Sequence, residues 1–352
     1  MLRLSTILSL LLLLSARVFA ADHAVILQYH HVSDDTPRST SVTPAQFEEH
    51  LSYLKDNGFT VMALPDVIKR IRTHQALPDR TVAITFDDAY ISIYREAFPL
   101  LKKHSYPFTI FVNTDAVDRG YGEALSWQQL NEMVKGGASI ANHGVSHGHL
   151  VERTKGEGEQ AWLNRIHKDI ETAERIISEK TGQDLKMFVW PYGETVPPLR
   201  QLIGQMGFVG FGQQSGPVGA LSDFTKLPRF PMGGAYAAMD SFITKVNTLP
   251  LPIRTKTPDS SLIDENNTTP VLQLTLAGGD YQKKLLACYG LGESLKINWL
   301  DAEKTTFQIQ SEKAIQPGRS RFNCTAPDQS GRRYYWYSHD WLRLTPEGKA
   351  LD

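Results

Sequence analysis

Cysteine is scarce: Cys288 and Cys324 are the only two among 352 residues. So few thiols exclude a disulfide-dense small scaffold and a cysteine-ligated metal cluster. In an oxidising compartment the pair can close, stabilising the fold by about 3 to 4 kcal/mol, with two unpaired thiols as the alternative. Charge of one sign is not in excess, with 37 Lys and Arg against 38 Asp and Glu. The absence of a basic stripe argues against a nucleic-acid partner. Past the N-terminus no stretch approaches the roughly 20 consecutive apolar residues of a membrane helix, and no fixed-period repeat is present. The apolar run over 4–14 follows Arg3 and precedes Val18-Phe19-Ala20. It reads as an export signal over residues 1–20, with an uncleaved anchor as the alternative. Its removal takes away Arg3 and Arg17 and moves the formal charge from −1 to −3. The expected location is periplasmic or secreted, with no transmembrane segment after cleavage.

What remains is longer than the roughly 100 to 200 residues of one domain. From about 24 to 250, short apolar segments alternate with capped helices, the pattern of parallel strands joined by helical crossovers. Strands are expected over 24–29, 81–86, 108–113, 138–142, 186–190 and 208–211. Several are almost wholly apolar, as parallel strands covered on both faces require. Thr43-Pro44-Ala45-Gln46 is a capping box with proline at the first helical position, and Gly58 stops that helix. Ser126 caps another helix before Trp127, and Trp162, Ile166, Ile170, Ala173 and Ile177 fall at helical spacing over about 160–180. The first domain is therefore set at 21–252. A Thr-, Pro-, Asp-, Ser- and Asn-rich linker is expected at 253–270, and a small β-rich domain at 271–352, with strands at 271–276, 295–300, 306–310 and 333–338.

The sharpest local feature is Thr85-Phe86-Asp87-Asp88, two adjacent carboxylates at the end of an apolar strand. Inside a strand they would face opposite ways, but at its C-terminal mouth the chain is already turning and both can enter one cavity. That mouth is where parallel α/β folds place active sites. Taken alone, an Asp in this place is as readily the cap of the next helix. A second segment shifts the balance: His143-Gly144-Val145-Ser146-His147 follows another strand and sets two imidazoles four residues apart, on one face if the chain turns helically there. Two neutral imidazoles and one carboxylate, with Asp88 chosen as the carboxylate, form a three-ligand shell for zinc or a similar divalent ion, cobalt and nickel included. His149 ranks behind His143 and His147 as a ligand. His31, by strand alternation, points away from the cavity.

These motifs resemble those of the polysaccharide deacetylases with the NodB-homology domain, carbohydrate esterase family 4. The family's T-F-D-D stands intact at 85–88, and its H-S/T-x-x-H-x-x-L is matched over 143–150 except for Gly144 in place of Ser or Thr. Trp190-Pro191-Tyr192-Gly193 resembles the third motif, although Val189 occupies the place where many members carry an arginine. Arg229, in Leu227-Pro228-Arg229-Phe230-Pro231, is the candidate substitute for orienting the base. The late D-x-x-D-W motif is missing. The family's final L-x-[apolar]-H lies here at the front, as Leu27-Gln28-Tyr29-His30, an order that resembles the permuted branch containing the periplasmic deacetylase domain of poly-N-acetylglucosamine export systems.

The resemblance implies a distorted (β/α) barrel with a smaller C-terminal β-rich domain and metal-dependent hydrolysis of N-acetyl groups on an N-acetylhexosamine polysaccharide. Asp88, His143 and His147 would hold the metal, most simply Zn2+, with Co2+ or Ni2+ as alternatives. Asp87 would be the base, His30 the general acid, and the backbone N–H of Tyr192 the oxyanion donor. Gly144 predicts a looser loop at the second motif. Peptidoglycan deacetylation, acetyl-xylan esterase activity and a non-catalytic carbohydrate-binding role with a vestigial site are the competing readings.

Overall fold

A computed structural model describes residues 20–351; the expected export signal, but for its last residue, lies outside them. The six apolar segments form parallel strands β1 (His23–Tyr29), β2 (Thr81–Asp87), β3 (Phe108–Val112), β4 (Ala138–Asn142), β5 (Met187–Val189) and β6 (Val209–Phe211). They lie side by side in chain order, every neighbouring pair parallel. Their side chains are buried on both faces, which is why these runs lack the apolar–polar alternation of a half-exposed sheet.

Segment 227–231 determines the curvature. Leu227 bridges to Phe211 of β6, while Phe230 and Pro231 pair with Leu27 and Gln28 of β1. The last strand is thereby joined to the first and the sheet curls into a distorted barrel. Helix α1 (Pro44–Asp56) begins with both arms of the capping box formed at Thr43 and Gln46. Ser126 caps α2 (Trp127–Lys135) in the same way. The long α3 (Glu159–Thr181) buries Trp162, Ile166, Ile170, Ala173 and Ile177 against the sheet and ends at Gly182 with φ +73°. Each of its three buried isoleucines contributes about 1.5 to 3 kcal/mol.

The C-terminal residues form two antiparallel sheets around a core of their own, including Leu272, Leu274, Phe307, Phe322 and Trp341. Segment 253–270, expected as a linker, is only partly one. Ile253–Thr257 is an edge strand paired with Leu272–Leu276, and Ser261 and Ile263 are buried. Its exposed Arg254 and Thr255 produce the polar texture, and charge on an edge strand blocks unwanted pairing. The strand expected at 295–300 divides into Glu293–Leu295 and Asn298–Trp299. The one expected at 333–338 runs on to Arg343, and its ten residues pair throughout with Gly318–Pro327, which was not among the expected strands. Cys288 and Cys324 are direct cross-strand partners and are bridged.

The two units are joined by Leu249–Pro250 pairing with Tyr335 and Trp336, by Trp336 packing edge-on to Phe230, and by the ion pairs Lys226–Asp340 and Arg333–Asp79. Among the described residues no helix is long and apolar enough to cross a membrane.

Candidate active site

At the C-terminal end of β2 the backbone reverses: Asp87 is the last strand residue, and Asp88 (φ +68°) and Ala89 (φ +54°) take left-handed conformations. This turn brings the two carboxylates to one side, although a continued strand would have parted them. From the end of β4 comes His143, whose Nδ1 donates to the Val189 carbonyl at 2.9 Å. That bond directs Nε2 towards Asp88 Oδ1, 3.3 Å away. His147 Nε2 lies 3.4 Å from the same oxygen. One ligand atom each from Asp88, His143 and His147 falls within 4.8 Å of the others. Both Asp88 Oδ1 and His143 Nε2 are buried without a hydrogen-bond partner. Buried polar atoms left so are costly, and a divalent cation suits two imidazoles and a carboxylate.

No helix follows His143. Left-handed residues at Gly144 (φ +77°) and His147 (φ +54°) fold a loop that brings the rings together, their centroids 4.6 Å apart. Nor is the loop loose. Gly144 N–H donates to Asn142 Oδ1 at 2.8 Å, Val145 N–H to Asp169 Oδ2 at 3.1 Å, and the Gly144 and Val145 carbonyls accept from Thr114 and Asp115. A Cβ at 144 would stand 2.8 Å from Asp169 Oδ2. Glycine suits this position, because φ is positive and a Cβ would press on the Asp169 carboxylate.

Asp87 is fully buried and clamped. Arg229 Nη1 and Nη2 each donate to one of its oxygens at 2.7 Å, and Gln28 Nε2 donates to Oδ2 at 2.8 Å. Arg229, itself fully buried, is steadied by the Gly212 carbonyl at 3.0 Å and Thr85 Oγ1 at 3.2 Å. It reaches Asp87 because segment 227–231 closes the barrel between β6 and β1. The position without the family arginine, Val189, points its side chain into the apolar core and lends its carbonyl to His143. His30 Nε2 stands 4.0 Å from Asp87 Oδ2. Gln28, two residues earlier on β1, shares its side of the strand; that alternation was the available signal for it.

Burial by itself would push both carboxyls up. The Arg229 guanidinium at Asp87, and the His143 and neighbouring imidazoles at Asp88, outweigh burial and hold both below the ordinary carboxylate range. Burial pushes His147 down to about 4, so its ring is neutral at physiological pH, the form that binds metal. His143 is opposed by burial but raised by Asp88.

Tyr192 also sits at a left-handed position (φ +57°), with its ring edge-on to His147 at 4.6 Å and stacked on His149 at 4.0 Å. His149 turns to Glu194, 2.8 Å from Nδ1, and is not in the three-residue cluster. His31 stacks on Tyr90 at 3.7 Å. The Tyr90 hydroxyl, absent from the sequence reading, is raised by burial and by the charge of Asp88 beside it.

Residues 74–211 match the family model described as polysaccharide deacetylase. The chain carries a polysaccharide deacetylase domain of the NodB type. The chain is 24% identical over 242 residues to the poly-beta-1,6-N-acetyl-D-glucosamine N-deacetylase of Escherichia coli (strain K12), a match covering 58% of this chain and 36% of that one. It is 27% identical over 212 residues to the enzyme of the same name from Staphylococcus aureus (strain MRSA252), covering 54% and 73%. The chain spans less than half the length of the first curated relatives it matches. Among solved structures, the Streptococcus pyogenes deacetylase PplD in complex with acetate superposes with a TM-score of 0.58 at 21% identity, covering 64% of this chain and 98% of that one, a likeness of fold. The polysaccharide deacetylase match leaves out β1 and segment 227–231, so His30, Gln28 and Arg229 come from the elements that flank it.

Proposed function

We propose that this chain removes N-acetyl groups from an N-acetylhexosamine polysaccharide of the cell envelope or extracellular matrix, releasing acetate. The observation that carries the reading is the meeting, at one end of the barrel, of a clamped carboxylate with a separate Asp–His–His cluster and a histidine 4.0 Å from that carboxylate. Asp88, His143 and His147 would hold a divalent ion, Zn2+ in the simplest case and Co2+ or Ni2+ as alternatives. When bound, such an ion supplies Lewis acidity to the acetyl carbonyl and to a water molecule.

Asp87, kept ionised by Arg229, takes the proton from the attacking water. Arg229 and Gln28 also fix its orientation. The backbone N–H of Tyr192 donates to the oxyanion that forms as the carbonyl carbon becomes tetrahedral. His30, as the general acid, gives a proton to the nitrogen as the C–N bond breaks, because an amine leaves poorly as its anion. The products are acetate and a free amino sugar. Export is supported by Arg3 and the apolar run over 4–14, and the names of the relatives point to a poly-β-1,6-N-acetylglucosamine substrate.

Acetate release from β-1,6-linked N-acetylglucosamine oligomers, peptidoglycan and acetyl-xylan, with Asp87→Asn as control, tests the proposal. Release from the first and its loss in the variant are expected. Full metal occupancy with no release from any of the three would replace the enzyme reading with a carbohydrate-binding one.

A further inference from the structure

The site has a partner outside the barrel. Arg319, on strand Gly318–Pro327 of the C-terminal unit, donates from Nη1 to Glu194 Oε1 at 2.7 Å. Its guanidinium also lies 5.3 Å from the centre of the Tyr192 ring. The other oxygen of the same carboxylate meets His149 Nδ1 at 2.8 Å, and His149 stacks on Tyr192 with 10° between the ring planes. One guanidinium and one imidazole therefore both contact the Tyr192 ring, and both are tied to the single buried carboxylate of Glu194. That ring also meets His147, the centroids 4.6 Å apart and the planes at 66°.

The turn at Tyr192 needs such support. A bulky aromatic at φ +57° is strained, and strain of this kind persists only where surrounding contacts over-determine it. The Glu194 carboxylate, 3% exposed, in turn needs a charged partner to be kept in place. Other ion pairs between the units, such as Lys226–Asp340 and Arg333–Asp79, involve no residue of the site. Arg319 differs from them in what it holds.

We propose that Arg319 is a positioning residue for the deacetylation, acting through Glu194, His149 and Tyr192 to fix the turn that presents the Tyr192 N–H. The C-terminal β unit thereby completes the active site of the barrel. The inference rests on the deacetylase reading above and deepens it.

The test is steady-state acetate release by the full chain acting on N-acetylglucosamine oligomers, comparing wild type, Arg319→Met and Arg319→Lys. Melting midpoint and bound metal are measured on the same samples. Arg319→Met is expected to lower kcat about tenfold while KM stays within about twofold, since misplaced transition-state donors cost turnover more than binding. Metal content stays unchanged, the fall in melting midpoint caused by leaving Glu194 unpaired still leaves the chain folded at the assay temperature, and Arg319→Lys, which keeps the charge on Glu194, restores most of kcat. Unchanged kcat in Arg319→Met, a rise in KM alone, or a loss of kcat that follows the melting midpoint and is not rescued by lysine overturns the inference. A wild type that releases no acetate sinks the deacetylase reading itself, and the inference with it, a result distinct from an active wild type indifferent to Arg319.

Discussion

Arg229→Met removes one half of a fully buried ion pair and leaves the other half in place. Both side chains have no exposed surface, and the pair is bidentate at 2.7 Å on each arm. Truncating one partner of a buried pair costs about 3 to 5 kcal/mol, mostly because the remaining charge stays desolvated. Gln28, a neutral donor to one oxygen, cannot replace the lost charge. At about 2 to 4 °C per kcal/mol for a unit of this size, the melting midpoint should fall by roughly 10 °C. The deficit also depends on pH. In wild type the depressed Asp87 contributes stability above the ordinary carboxylate range, and that contribution is lost as pH falls through its lowered folded value. In Arg229→Met burial dominates and Asp87 is raised, so its charge is the liability and protonation relieves it. The gap between wild type and variant should therefore narrow from neutral pH towards about pH 4. The acid limb of kcat/KM should shift to higher pH in the variant. Urea unfolding at several pH values measures the gap, and Asp87→Asn added to Arg229→Met should cost far less than it does alone. A deficit under about 1 kcal/mol, or one that does not change with pH, would refute the argument that Arg229 keeps Asp87 ionised.

Three further outcomes follow from the same geometry. Gly144→Ser, which restores the residue more usual in the motif, should destabilise the chain by about 1 to 3 kcal/mol and weaken metal retention, because it places a Cβ against Asp169 at positive φ; thermal melting and metal analysis check it. Replacing Cys288 and Cys324 with serine should cost about 4 kcal/mol in the C-terminal unit, from a bridge spanning 36 residues, and reductant should act on wild type alike. With Asp87 working ionised as the base and a general acid needed at the leaving nitrogen, kcat/KM should peak between two limbs that belong to the site as a whole; a flat profile from about pH 5 to about pH 9 with chemistry limiting contradicts the assignment.

The barrel strands were legible because a parallel strand covered on both faces must be apolar throughout, and six such runs stood between capped helices. Asp87-Asp88 and His143/His147 were legible because they sit at or just past strand ends, where the chain leaves the sheet. The backbone that unites them was not. It depends on left-handed residues at Asp88, Gly144 and His147, which neither spacing nor a helical turn describes. Arg229 stood out only as a candidate, since its approach to Asp87 follows from segment 227–231 joining β6 to β1, a contact between strands far apart in sequence. In the C-terminal unit, Arg319 and Arg321 masked a strand whose alternating Phe322, Cys324 and Ala326 are buried. The edge strand Ile253–Thr257 was hidden by the charges that suit an edge.

In the proposed reaction, acetate release depends on a divalent ion held by Asp88, His143 and His147. The direct measurement is acetate release from N-acetylglucosamine oligomers by chelator-stripped protein as Zn2+ is titrated back. Activity should be absent after stripping, return fully at one ion per chain, and fail to return in Asp88→Ala. Undiminished release by protein shown to be metal-free, or full recovery in Asp88→Ala, would rule out this metal dependence.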